Sequence, residues 1–273
     1  MKDIIGCGLG LRLEFLDEVY NFDKTELPNW FEIAPENWID INPLLIKKLE
    51  KIASDFPLVA HGLSLSIGSI EPLNIDFIKL IKEFLNRFGI KHYSEHLSFS
   101  SLNSRQLYEL LPVPMTLNVA KVIGTKAKAL RDILDMEIIL ENPTYYYVPY
   151  AEMSEIDFTN AVLEFSEATL LLDVNNVFVN AHNHKFSAHS FIDAIDMDKV
   201  SYLHVAGHWD RKDDMWIDTH GMPVKDDVWD LLKYTLQKKQ LPTLLERDNN
   251  IPPLKTLLKE YQKCCTIFEE SLC

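Results

Sequence analysis

Eight short apolar runs of strand type, each followed by a stretch whose apolar side chains recur every three or four positions, constrain this chain more than any other feature. The runs are Ile4 to Leu9, Trp30 to Ala34, Pro57 to His61, His92 to Leu97, Glu137 to Glu141, Thr169 to Asp173, Val200 to Val205 and Pro242 to Glu246. Between them lie helical patterns such as Phe77, Leu80, Ile81, Phe84, Leu85 and Phe88, or Val228, Trp229, Leu232 and Leu236. Strand and helix in strict alternation build a parallel sheet covered by helices. Eight repeats of the pair favour a closed (β/α)8 barrel over an open doubly wound sheet.

Length agrees with that architecture. The 273 residues would also suit two ordinary domains, but barrels of this kind run to about 250 residues before loop insertions. No Gly/Ser-rich or Pro-rich linker, like-charge block or short repeat marks a boundary, so one barrel domain over residues 1–273 is expected.

Several functional classes are disfavoured. The 27 basic and 41 acidic side chains leave a formal charge of -14, which repels a polyanion over most of the surface. Nucleic acid is therefore not an expected partner; taken alone, such acidity mostly serves solubility. Gly6, Gly8 and Gly10 approach a dinucleotide fingerprint, but Leu13 stands where the next glycine would be needed. Walker, Gly-x-Ser-x-Gly and His-Glu-x-x-His patterns are missing. Cys7, Cys264, Cys265 and Cys273 form no Cys-x-x-Cys pair and stand apart from the histidine clusters. Neither a disulfide framework nor a thiolate zinc site is suggested, and a reducing compartment fits. Met1-Lys2-Asp3-Ile4-Ile5 lacks a signal-peptide core, and no apolar stretch reaches about 18 residues. A cytoplasmic protein without a membrane segment is the expectation.

In a (β/α)8 barrel the chemistry sits where strands end and loops begin. Those positions hold Glu32 and Glu36, His61, Glu95 and His96, Glu141, Asp173, His204 and Glu246. Any one of them, taken singly, is more often a capped or solvated polar group than a ligand. Together they form a ring, and burying so many carboxylates without cations costs several kcal/mol per group. Imidazole mixed with carboxylate suits Zn, Fe or Mn. Beyond the seventh run, Asp218 and His220 fall on one side of an extended segment and offer a further ion position. Asn175, Asn176, His182 and His184 supply additional donors, while His92 and His189 read as structural or surface groups. Tyr145, Tyr146 and Tyr147 read as packing before pocket lining, and Asn142-Pro143 as a turn.

The blocks Trp30-Phe31-Glu32-Ile33-Ala34-Pro35-Glu36-Asn37, His61-Gly62-Leu63-Ser64-Leu65-Ser66, Ser94-Glu95-His96-Leu97, Leu140-Glu141-Asn142-Pro143 and Leu172-Asp173-Val174-Asn175-Asn176-Val177 carry a family resemblance. So do His204-Val205-Ala206-Gly207-His208, Asp218-Thr219-His220-Gly221 and Glu246-Arg247-Asp248-Asn249-Asn250-Ile251-Pro252-Pro253. In this order they resemble the multinuclear non-haem iron-dependent oxidases, among them the iron subunit of methanobactin biosynthesis, over Gly6 to Pro253. The resemblance implies a barrel of the xylose-isomerase and endonuclease-IV type. It implies one iron on His61, His96 and Glu141, with Glu141 bridging to a second on Asp173, His204 and Glu246. Asn176, Asp218 and His220 would form a third position, and Asp248 would accept a proton, although a surface salt bridge also accounts for that residue. DNA-repair relatives carry a histidine where Asn176 stands, which counts against a zinc phosphodiesterase.

By the same resemblance, the protein uses O2 and two or three Fe ions, Fe(II) beside Fe(III), to oxidise cysteines of a ribosomally made precursor peptide to oxazolone and thioamide or related products. A separate peptide-recognition protein would deliver the peptide. Two alternatives share the ligand ring: a Zn- or Mn-dependent hydrolase or sugar isomerase, and a non-enzymatic metal-binding protein.

Overall fold

The computed structural model describes residues 4–103, 105–211 and 214–271; Cys273 and the first three residues lie outside them. Eight parallel strands close into a barrel in chain order, β1 (Cys7–Gly10), β2 (Trp30–Ile33), β3 (Leu58–Gly62), β4 (Tyr93–His96), β5 (Ile138–Glu141), β6 (Thr169–Asp173), β7 (Val200–Val205) and β8 (Thr243–Leu245), with β8 pairing back onto β1. All eight expected runs are strands, with edges displaced by at most a few residues. The main helices between and after them are Leu16–Asn21, Pro43–Asp55, Ile75–Phe88, Leu117–Leu134, Glu155–Ser166, Val174–His184, Asp226–Lys238 and Leu254–Glu270. The expected (β/α)8 class is therefore the observed one.

Local chemistry explains the helix boundaries. Asn42, Asn74, Thr116, Ser154 and Asp173 each accept a backbone N–H of the first turn that follows, replacing a bond the helix cannot supply itself. The helix Ile75–Phe88 buries Ile78, Ile81, Phe84 and Leu85. Leu80, counted with that face in the sequence, is exposed.

Two cores result. The larger one fills the space between strands and helices, and a smaller one of Ile4, Trp30, Val59, Ile139, Leu171, Tyr202 and Leu244 fills the barrel interior. Gly8 makes room for it: a Cβ there would stand 2.5 Å from the Trp30 indole. Cys7 and Cys264 are buried free thiols whose sulfurs lie 3.7 Å apart, where the helix Leu254–Glu270 packs on β1. No described helix is long and apolar enough to cross a membrane.

The β4 loop adds an antiparallel hairpin, Phe99–Leu102 with Arg105–Leu111, and the β7 loop a short pair, Trp209–Asp210 with Trp216–Ile217. Both rise from the strand ends, the face that carries the polar ring.

Candidate metal centre

Side chains alternate across a strand, so residues two apart share a face. Two positions beyond the interior residues Trp30, Val59, Ile139, Leu171, Tyr202 and Leu244 stand Glu32, His61, Glu141, Asp173, His204 and Glu246. His96 joins them two residues after Ser94, in register beside Glu141. One end of the barrel interior is thereby lined with carboxylates and imidazoles, all of them buried.

These groups converge as three sets. His61 Nε2 lies 3.1 Å, and His96 Nε2 3.2 Å, from Glu141 Oε2. His204 Nδ1 lies 3.0 Å from Glu246 Oε2, 3.7 Å from Glu141 Oε1 and 4.0 Å from Asp173 Oδ2. Glu141 thus turns one oxygen to each set. In the third, His220 Nδ1 lies 3.0 Å from Glu246 Oε2 and 3.3 Å from Asp248 Oδ2. Within each set one ligand atom per residue lies within 4.8 Å of the others.

The composition of the third set differs from the expected Asn176, Asp218 and His220. Asp218 is beside His220, its Oδ1 2.8 Å from Nε2, but strand alternation is not what joins them. The extended pair ends at Ile217, and His220 turns the chain with φ +44°. Asn176 is committed elsewhere: its side-chain oxygen accepts from Thr144 at 2.9 Å and its nitrogen donates to the Asn142 carbonyl at 3.1 Å. Asp248, exposed at the rim, pairs with both Arg12 and His220.

The residues fit cations. Glu141 Oε2, Asp173 Oδ2, His204 Nδ1 and His220 Nε2 are buried and face oppositely charged groups, yet none makes a well-directed hydrogen bond, although buried polar atoms are seldom left so. Oxygen and imidazole donors without thiolate suit Zn, Fe or Mn. The electrostatics show the same deficit. Burial disfavours the His61 imidazolium, yet Glu141 and Glu32 outweigh it and raise His61 to about 9. Burial and the His61 charge push His96 down to about 4. Burial, with Glu141 and Asp218 nearby, raises Asp173 to about 7. Cations at these positions would allow neutral imidazoles and ionised carboxylates together.

The remaining candidates sort by the face they occupy. Glu32 points inward and binds His204 Nε2 at 3.1 Å. Glu95 points the other way, where Tyr93 donates to it at 2.8 Å and burial raises it to about 8; with His96 inward, alternation requires this. Glu36 accepts the Leu63 and Ser64 N–H groups. His208 bonds Asn175, His182 stacks on Trp216 and His184 on Tyr145. His189 lies on Tyr234. His92 lines a concavity of about 660 Å³ with Ile4, Glu137 and Pro242, at the opposite end of the barrel. Tyr145 packs against Glu155, whereas Tyr146 accepts the Asp218 N–H. Asn142 does more than turn the chain, exchanging two hydrogen bonds with the Asp173 backbone.

Arg12, beyond the end of β1, is the residue that reading the strand ends passed over. Its guanidinium lies 3.5 Å from Glu246, bonds the Arg247 carbonyl at 3.0 Å and pairs with Asp248. Its position two residues past a barrel strand was the available signal.

A family model described as RiPP precursor modification enzyme MbnB/TglH/ChrH matches residues 6–269. A UPF0276 protein of Acinetobacter baylyi is 44% identical over 261 residues, covering 95% of this chain and 90% of that protein. One from Shewanella amazonensis is 45% identical, with 94% and 92% covered. Among solved structures, 3-keto-D-glucoside 4-epimerase from E. coli superposes with a TM-score of 0.62 at 14% identity, covering 96% of this chain and 99% of that one. Endonuclease IV from Thermus thermophilus gives 0.60 at 13%, with 98% and 99% covered. At such identity these two establish the xylose-isomerase-like barrel and nothing of its chemistry.

Proposed function

This chain belongs to the MbnB/TglH/ChrH family of RiPP precursor modification enzymes, and from that premise we propose that it is a multinuclear iron-dependent oxidase of precursor-peptide cysteines. The observation that carries the reading is the convergence of His61, His96, Glu141, Asp173, His204 and Glu246 into two buried ligand sets that share Glu141. In this reading His61, His96 and Glu141 hold one ion, and Glu141, Asp173, His204 and Glu246 a second. His220 would anchor a third with Glu246 and Asp248 and with Asp218, 2.8 Å from its Nε2; Asn176 could join them only by giving up its bonds to Thr144 and Asn142. Iron, when bound, supplies redox-active cations able to take electrons from a thiolate and pass them to dioxygen.

The chain's own residues supply the rest. Glu141 fixes the spacing of the first two positions through its two oxygens. In this reading Asp248, at the rim, 3.3 Å from His220 and paired with Arg12, accepts the proton a cysteine thiol loses. A peptide substrate also suits the surroundings of the mouth. Leu63, Tyr108, Tyr146, Tyr147, Trp209 and Met222 are all exposed, and all lie on loops that follow strand ends. A separate recognition protein that carries the peptide to this rim belongs to the same proposal, as does a cytoplasmic setting.

The test is anaerobic loading with Fe(II), then O2 and a cysteine peptide encoded beside the gene, with its companion protein. A mass change on the cysteine that requires both iron and O2 is expected. An unchanged peptide despite bound iron refutes the activity. Full occupancy by Zn or Mn with O2-independent turnover of a sugar or phosphodiester would favour an isomerase or hydrolase. Iron signals that thiols and nitric oxide never perturb would favour a closed, non-enzymatic metal site.

A further inference from the structure

Beneath the ion positions, five buried side chains from four strands form one continuous run of hydrogen bonds. His204 Nε2 lies 3.1 Å from Glu32. The Tyr202 hydroxyl lies 2.8 Å from Glu32 Oε2 and 2.8 Å from Ser94 Oγ. Ser94 Oγ lies 2.7 Å from His61 Nδ1. The run therefore begins at a histidine of the second ion position and ends at a histidine of the first. All five residues are at most 4% exposed, so water cannot readily substitute for any link.

We propose that the Glu32 carboxylate orders this run, and so presents a lone pair from His61 and from His204 to the two ion positions at once. The argument is one of donors and acceptors. The Tyr202 hydroxyl donates its single proton to Glu32. Ser94 must then donate to Tyr202; its other acceptor, the Ala60 carbonyl, is farther away at 3.4 Å. The Ser94 oxygen is left to accept from His61 Nδ1–H, which frees His61 Nε2, the atom facing Glu141. On the other arm, His204 Nε2–H donates to Glu32 and frees Nδ1, the atom facing Glu246. A histidine ligand is commonly fixed by a carboxylate or carbonyl on its far nitrogen. Here one carboxylate serves two ligands, one directly and one through two hydroxyls. His96 is set independently, by the Gly62 carbonyl 3.0 Å from Nδ1. Glu32, Tyr202 and Ser94 are thus positioning residues that act through the histidines.

The inference rests on the metal-centre reading, and Zn(II) is the diamagnetic probe for both. In the unaltered protein loaded with Zn(II), His61 Nδ1–H and His204 Nε2–H should appear as separate low-field imidazole resonances. Glu32→Gln replaces one carboxylate oxygen with an amide donor: with its oxygen kept on Tyr202, the nitrogen takes the place of Oε1, 3.1 Å from His204 Nε2, and the neutral acceptor holds Tyr202 less strongly. Zn(II) affinity should fall at least about tenfold, and the His61 resonance should shift although residue 32 does not touch His61. Tyr202→Phe should cut the link, so that adding Glu32→Gln no longer moves the His61 signal. Ser94→Ala should change His61 alone and leave His204 as it was.

An unmoved His61 resonance in Glu32→Gln, or unchanged Zn(II) affinity in both Glu32→Gln and Tyr202→Phe, overturns the proposal. If Glu32→Gln does not fold, the proposal stands or falls on Tyr202→Phe and Ser94→Ala. Failure of the unaltered protein to bind Zn(II) would refute the metal-centre reading instead. In that case the same resonances, followed in metal-free protein at alkaline pH, decide whether the run is ordered as described.

Discussion

Glu141 divides its oxygens between two groups of imidazoles, Oε2 toward His61 and His96 and Oε1 toward His204. A bridging carboxylate and a terminal histidine should therefore fail differently. Glu141→Ala is expected to lose iron from both of the first two positions, whereas His61→Ala should lower occupancy of one. Metal analysis of the purified variants distinguishes the patterns; equal loss in both would deny the bridging role. Most of the ring could be read residue by residue because its members, His96 after Ser94 excepted, follow an interior apolar residue by two. Asn176 and Asp218 were less legible. The former spends its amide on Thr144 and Asn142, and the latter reaches His220 through a turn that no periodicity encodes. Glu95 shows the converse, since its place beside His96 already required the opposite face.

Among the elements, strands declared themselves and loop structures did not. Interior strands bury both faces, which leaves a dense apolar signature. The hairpin of Phe99–Leu102 and Arg105–Leu111 leaves residues 105–110 exposed and carries no such signature. Asn103 and Tyr108 take positive φ there, conformations that residue identity announces weakly. Gln106 and the Ser66 hydroxyl tie this hairpin to the β3 loop, and none of the ligand sets among the described residues draws on it. Tyr108→Ser combined with Leu110→Ser should leave iron content and thermal midpoint unchanged while weakening precursor-peptide binding severalfold. Fluorescence anisotropy with a labelled peptide measures this, and unaltered affinity would remove the hairpin from the binding surface.

For the whole molecule, the polar ring is a liability that cations, if bound there, would convert into a gain. Several ionisable groups share one buried space, and a ligand that binds only the folded state stabilises it by about 4 kcal/mol at a thousand times its dissociation constant. For a chain of this size that corresponds to roughly 10 °C in midpoint. Chelation should lower the midpoint by about that amount, and Fe(II) or Zn(II) should restore it; a midpoint indifferent to chelator would mean that the ring holds no ion. The sequence by itself determined the eight strand-helix pairs of the barrel and which polar residues stand at its strand ends, because strand and helix periods are local; it did not separate inward Glu32 and His96 from outward Glu95 and Glu36. Only the tertiary structure decided that Glu32 supports His204, that Arg12 restrains Asp248, and that His61 and His204 share one hydrogen-bonded run. Those relations depend on distances set when the barrel closes, between residues that no local period connects.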